Sequence, residues 1–120
     1  MDIEALRDYC LSKRGAEECF PFDEDTLVFK LSGKMFAAIG LSDVPISVNL
    51  KCDPDYAIEL REKYPSITPG YHMNKTHWIS IIIESEVTGI LIKSLIDLSY
   101  DLVFNKLPKK RQEEILNIDV

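Results

Sequence analysis

The residues best equipped for chemistry gather in one stretch, Pro69–Trp78, which reads PGYHMNKTHW. It holds both histidines and the only tryptophan of the chain, together with Asn74 and Lys75. Such side chains donate hydrogen bonds, carry positive charge or stack on planar groups. The stretch leads into an apolar run, Ile79–Ile83, that is typical of a strand. A polar, irregular run before a strand predicts a loop presented by a rigid scaffold, where binding residues tend to lie.

Nucleic acid is the first class of ligand that these residue types fit, because cations reach phosphates and aromatic rings stack on bases. The candidate binding residues are cationic, aromatic and amide side chains, namely Lys51, Arg61, His72, Asn74, Lys75, His77 and Trp78. Among them Asn74 can hydrogen-bond a base edge. Lys30 and Lys34 lie on the first predicted hairpin, which would act as a wing beside the nucleic acid.

Several of these candidates also have a structural interpretation, which the sequence leaves open. Trp78 begins an apolar strand, as an aromatic residue of the core or its rim would do. Lys75 also fits a solvated surface lysine. His72 and His77 fit structural hydrogen-bonding groups as well as pH-sensitive contacts to phosphate.

Metal binding and catalysis find little support in the sequence. His72 and His77 are five residues apart with no cysteine or carboxylate between them, and no HExxH pair occurs. Ser99 lies within a predicted helix without a nucleophile turn, so its expected role is a bond to a helix carbonyl or to the sheet. Cys52, beside Lys51, precedes a helix cap and is expected to pack. We therefore predict a non-enzyme with no catalytic residue, no metal and no cofactor.

The composition describes one ordinary domain of 120 residues with a net charge of −6. The charge is uneven, since the first 27 residues carry eight acids and three bases, whereas residues 28–80 carry six bases and five acids. Overall acidity argues against a general nucleic-acid binder. A local basic face in the middle of the chain remains open.

The cellular location and the oligomeric state are predicted from sequence features that the chain lacks. Its apolar runs are far shorter than the ~18 residues of a membrane span. The N-terminal segment, MDIEALRDYC, has neither the basic nor the long apolar region of a signal peptide. The three cysteines show no CxxC spacing, so we expect reduced thiols. These features predict a cytoplasmic protein without membrane contact, and we expect a monomer or weak dimer.

Hydrophobic periodicity predicts an α+β fold of residues 1–120, with elements in the order α-β-β-β-α-β-α-α. The predicted helices begin at caps Asp2, Asp53, Thr88 or Ser85, and Pro108, and the predicted strands are Thr26–Leu31, Met35–Leu41, Ile46–Leu50 and His77–Ile83. Short hairpin links favour an antiparallel sheet packed against helices.

Two packing predictions concern apolar side chains. The third helix shows one leucine line and one adjacent β-branched line, consisting of Leu91, Leu95, Leu98 and Leu102, and of Ile92, Ile96 and Val103. Both lines are expected to be buried. In the first long connection, Phe20 and Phe22 are expected to hold the loop on the core, while Asp23, Glu24 and Asp25 form a solvated turn.

A set of motifs across nearly the whole chain resembles the MmcQ/YjbR family of small bacterial proteins. The motifs are Phe20-Pro21-Phe22, Gly33–Ala37, Leu50-Lys51, Pro54, Leu60-Arg61, Pro69–Lys75, His77-Trp78, Ser99–Val103 and Leu107-Pro108. The resemblance implies a sandwich similar to frataxin-type (CyaY-like) and secretion-chaperone-like folds. It also implies a DNA-binding protein with a double-wing motif, in which two β-hairpins flank a helix, and it supplies no catalytic residues.

Two functions are therefore open. The first is non-catalytic DNA binding through a basic and aromatic face of loop and strand. The alternative is a protein-interaction adaptor or chaperone-like module that uses the polar side of Ile46–Leu50 and the Tyr71–Trp78 loop. A continuous positive face through Lys51, Arg61 and Lys75 would favour nucleic acid, whereas scattered lysines beside an apolar groove would favour a protein partner.

Overall fold

The computed structural model describes residues 1–70 and 73–118. The elements are α1 (Ile3–Ser12), β1 (Ala16–Cys19), β2 (Thr26–Leu31), β3 (Lys34–Gly40), β4 (Ser47–Lys51), α2 (Pro54–Lys63), β5 (Ile67–Pro69), β6 (Trp78–Ile82), α3 (Gly89–Phe104) and α4 (Lys109–Leu116). The strands form one sheet in the order β1-β2-β3-β4-β6-β5, and each neighbouring pair is antiparallel. The predicted α+β class with an antiparallel sheet is confirmed.

The predicted element order is wrong at both edges of the sheet, where β1 and β5 were expected to be loops. β1 carries Glu17 and Glu18 side by side, which hides the alternation of a strand. β5 is three residues long and ends in Pro69, a residue that strands accept at a sheet edge. Both strands form because their inner neighbours have a free hydrogen-bonding edge: β2 pairs with β1, and β6 pairs with β5.

Helix caps follow the sequence closely. The side chains of Asp2, Asp53 and Thr88 each accept a hydrogen bond from the backbone N–H three residues later, at 2.9, 3.1 and 3.1 Å. Thr88, and not Ser85, caps α3. Beyond α1, Gly15 has φ +78°, a left-handed conformation that glycine adopts without strain. None of the helices in the described ranges is long and apolar enough to cross a bilayer.

The core lies between one face of the sheet and the helices. Its sheet side consists of alternate residues of the inner strands, including Phe29, Ile39, Val48, Leu50, Ile79 and Ile81. From α3 it receives Ile92, Leu95, Ile96, Ser99, Tyr100 and Val103. The predicted leucine line is confirmed at Leu95 and wrong at Leu98, which is 40% exposed, whereas Leu91 and Leu102 are only partly buried. The β-branched line faces the sheet instead, and turns the other leucines toward the rim.

The opposite face of the sheet is smaller and more polar. Val28 and Ala38 are buried there, outside the main core cluster. Next to Ala38, Asn49 pairs with Ser80 across β4 and β6, and Ser80 Oγ donates a hydrogen bond to Asn49 Oδ1. The alternation of β4 therefore places Asn49 and Lys51 on this face.

Ser99 joins α3 to the sheet where the β3–β4 ladder ends. The last ladder pair is Ala37 with Leu50. Just beyond it, Ser99 Oγ donates a hydrogen bond to Phe36 O at 2.6 Å and accepts one from Lys51 N at 2.9 Å. The hydroxyl thus satisfies two backbone groups that the ladder leaves unpaired. The predicted contact of Ser99 with the sheet is confirmed.

Replacement of Ser99 by alanine should lower the free energy of unfolding by about 1–3 kcal/mol, because it leaves buried backbone groups without partners. Urea denaturation measures the loss. Ser94→Ala is the matched control, since Ser94 is exposed on the same helix, and its change should stay within about 0.5 kcal/mol. Equal losses in the two variants would refute the bridging role.

Candidate nucleic-acid interface

Lys51 and Trp78 face each other where β4 ends and β6 begins. The Lys51 ammonium lies 6.0 Å from the centre of the Trp78 ring, a cation–π contact. Trp78 is only 9% exposed. The interpretation of Trp78 as a core or rim aromatic is therefore correct, and little of its ring is left for stacking on a base.

Three lysines from different parts of the chain line one cavity of about 320 Å³. Lys34 begins β3, Lys51 ends β4 and Lys106 follows α3. Val103 and Leu107 complete the wall. We call Lys34, Lys51 and Lys106 the lysine cluster.

The charges around Lys51 make the lysine cluster a candidate site for anions. Burial, and then the positive charges of Lys106 and Lys34, lower the pKa of Lys51. In the described part of the chain none of the three ammonium groups forms a salt bridge. Positive charges that lie close together without a counter-charge repel one another, and a bound anion would reduce this repulsion.

The sequence reveals only part of this cluster. Lys51 was a predicted site residue and Lys34 was placed on the wing hairpin. Lys106 was missed, because only the passage of α3 across β3 and β4 brings its position to theirs. Its sole sequence signal is its place just before the Leu107-Pro108 motif.

Asn74 organises the loop that leads into β6. Its side-chain oxygen accepts a hydrogen bond from Thr76 N at 2.9 Å. Its backbone oxygen accepts bonds from His77 N and Trp78 N at 3.2 and 3.0 Å. The side-chain acceptor of Asn74 is therefore engaged in the turn, which removes half of the bidentate pattern that reads adenine.

The other loop candidates lie near the surface. Lys75 and His77 are exposed, and neither lines the cavity of the lysine cluster. His77 O accepts a hydrogen bond from Cys52 N at 2.8 Å, which fastens the loop to the end of β4. The predicted site residue His72 lies outside the described residues.

Arg61 lies on α2, away from the cavity of the lysine cluster. Its Nη1 atom is buried and has no hydrogen-bond partner within the described ranges. Nearby, burial and then the charge of Asp53 raise the pKa of Cys52 to about 11, against the opposing charge of Arg61. Arg61 is thus half-buried beside a thiol. The expected positive face through Lys51, Arg61 and Lys75 is not formed at this cavity, where the positive surface around Lys51 is built from Lys34 and Lys106.

An acidic cavity limits the interface toward the other end of β3. It has a volume of about 560 Å³ and is lined by Asp23, Asp25 and Asp43 together with Phe22 and Met73. Phosphates are repelled from such a lining.

The expected packing of the aromatic loop is wrong, since Phe22 is 68% exposed at this cavity and Phe20 is 51% exposed.

Among residues 1–70 and 73–118 no group of His, Cys, Asp or Glu is placed to hold a metal ion.

Comparison with known proteins identifies close relatives. The YjbR family profile matches residues 11–102. The uncharacterised protein YbdF of Escherichia coli O157:H7 is 43% identical over 113 residues, which cover 93% of this chain and 92% of YbdF. The uncharacterised protein YjbR of Escherichia coli K12 is 29% identical over 118 residues, covering 98% of this chain and all of that protein.

Solved structures show the same fold. The crystal structure of Deinococcus radiodurans protein DR2400, a DUF419 domain, superposes with a TM-score of 0.90 at 36% identity, covering 98% of this chain and 89% of DR2400. A Pseudomonas syringae protein superposes with a TM-score of 0.75 at 29% identity, covering 86% of this chain and 99% of that one.

Gly70→Ala should destabilise the protein by about 1–3 kcal/mol, because an added methyl group overpacks the contact with Trp78. A Cβ atom at Gly70 would lie 2.6 Å from Trp78 Cβ and 3.1 Å from the Trp78 carbonyl. Urea denaturation gives the loss, and a red shift of the single tryptophan's emission reports the displaced loop.

Gly89→Ala is the control for the Gly70 variant. A Cβ atom at Gly89 meets only Met1 Cβ at 3.8 Å, an ordinary contact. This change in the first turn of α3 should be neutral or stabilise by up to about 1 kcal/mol. A Gly70 variant as stable as the Gly89 variant, with unchanged emission, would contradict the close packing of residue 70 on Trp78.

Proposed function

The chain belongs to the YjbR family, and we propose that it is a non-catalytic DNA-binding protein that holds phosphates with the lysine cluster. Membership confirms the resemblance carried by the motifs. The observation that supports the function is the cavity lined by Lys34, Lys51 and Lys106, whose ammonium groups form no salt bridge within the described residues. Unpaired ammonium groups on a surface bind DNA phosphates favourably because the cations condensed on the DNA are released.

The proposed binding is independent of base sequence. Trp78 is buried under Lys51, so it offers no platform for stacking. The side-chain oxygen of Asn74 is used within its own turn. Phosphate contacts fix position on DNA, whereas base contacts specify sequence. The lysine cluster supplies phosphate contacts, whereas Trp78 and Asn74 offer few contacts to bases.

The charge distribution makes the proposed interface small. The net charge is −6, and three aspartates line the cavity toward the other end of β3. The footprint on DNA is therefore confined to the end where Lys51 lies, with Lys34 at the tip of the β2–β3 hairpin as the wing. A short footprint gives weak binding, about 10⁻⁶ to 10⁻⁴ M at physiological salt.

The double variant Lys34→Ala/Lys106→Ala should bind a labelled DNA duplex more weakly than the wild type in fluorescence anisotropy. Both side chains are exposed, so stability should change by no more than about 0.5 kcal/mol each. Loss of two phosphate contacts should make the slope of log K against log salt shallower by about 1.8.

The matched control is Lys63→Ala/Lys93→Ala, which removes the same charge from exposed lysines outside the cavity. Its affinity and salt slope should follow the wild type closely. If both double variants lose affinity equally, net charge and not the lysine cluster drives binding. If the wild type binds no DNA even at low salt, DNA binding is wrong for this chain.

A protein-interaction module is the second candidate, and a separate observation favours it. Phe20 and Leu41 are exposed and line one groove of about 450 Å³ with Ile3 and Leu27, and the charged residues Glu4, Arg7 and Glu18 line the rest of it. Exposed apolar side chains in a groove are typical of a protein contact. Capture of one partner by the wild type, and its loss in Phe20→Asp without loss of DNA affinity, would favour this function over DNA binding.

The cysteines support a proposed cytoplasmic location. Cys10, Cys19 and Cys52 are free thiols, and Cys10 and Cys52 are buried. Burial raises the pKa of Cys10 to about 12, so that thiol is unreactive at neutral pH. Free structural thiols are typical of proteins kept in a reducing compartment.

A further inference from the structure

We propose that the lysine cluster takes a terminal phosphate monoester of a nucleotide, such as the 5′-phosphate of a DNA strand, in preference to the phosphodiester backbone. This inference rests on the proposed function and names the group that its site receives.

The charges of the two partners favour the monoester. The cluster brings three ammonium groups to one cavity, and the described residues give none of them a carboxylate in salt-bridge contact. A phosphate monoester carries about −1.5 to −2 at pH 7 and three strong acceptor oxygens. An internal diester carries a single negative charge on two free oxygens. The monoester therefore offsets more of the positive charge of the cluster than a diester does, and it offers one acceptor oxygen for each ammonium group.

The shape of the cavity also favours a terminal group. Its volume of about 320 Å³ is at the lower end of the roughly 300–1,000 Å³ found for small-molecule sites. Buried Val103 and half-buried Leu107 give it an apolar wall, which suits the carbon face of a sugar. A diester must leave such a cavity at two ends, whereas a monoester leaves it at one.

The lining also indicates binding without hydrolysis. It consists of lysine, valine and leucine side chains, with no carboxylate, histidine or cysteine. Lys51 is the most enclosed of the three cations and lies against Trp78. Its partial burial strengthens a charge-assisted bond to phosphate, because water competes less for the ammonium group. Lys51 is therefore expected to carry most of the preference.

The test compares two copies of one single-stranded oligonucleotide, labelled at the 3′ end, that differ only in a 5′-phosphate or a 5′-hydroxyl. In anisotropy the wild type should bind the phosphorylated copy about tenfold more tightly, the effect of about one added charge-assisted bond. Lys51→Met, which keeps an aliphatic stem on Trp78, and Lys106→Ala, at an exposed residue, should each reduce this ratio toward one. Lys63→Ala should retain it.

A second arm separates the two sources of a monoester. Deoxyadenosine monophosphate should displace the phosphorylated oligonucleotide, whereas deoxyadenosine should not. If the mononucleotide binds and neither oligonucleotide does, the site takes a free nucleotide, and DNA binding is wrong while the monoester preference stands. If both oligonucleotides bind equally and both depend on Lys51, DNA binding stands and the preference is overturned. If nothing binds, both are overturned.

Discussion

The docking of α3 across β3 and β4 is the constraint on which the candidate site depends. Ile92, Ile96 and Val103 bury an apolar line against the sheet, and a hydroxyl in that line must find partners there. Ser99 finds them at Phe36 O and Lys51 N, which fixes where α3 lies along its axis. Lys106, just beyond the end of the helix, is thereby placed beside the end of β4.

Much of the fold can be predicted from the sequence because helix caps and strand alternation depend on residues that are close together in the chain. A cap needs one side chain and one backbone N–H three residues away, so Asp2 and Asp53 mark their helices reliably. The inner strands alternate in hydrophobicity because one face is buried. The edge strand β1 has no such signal, since its pairing is imposed by β2. The exposure of Phe22 depends likewise on how loops meet in space.

The candidate site was predicted less well than the fold, and for a physical reason. Lys51 and Trp78 could be found because both lie at strand ends, beside the loop that carries the polar residues. Their pairing, and the burial that takes Trp78 out of use as a stacking platform, depend on the strand order of the sheet. Lys106 follows the end of α3, far from Lys51 in the sequence, and no local pattern links the two residues.

The acidic cavity and the lysine cluster lie toward opposite ends of β3, since Gly40 lines the first and Lys34 lines the second, and this separation of charge has a consequence for crowding on DNA. Each molecule that docks by its lysines would neutralise a few phosphates but bring a net charge of −6 with it. A strand coated in this way becomes more anionic with every molecule added, so neighbours repel one another. Occupancy would then remain sparse and anticooperative, and the coated strand would stay extended instead of condensing.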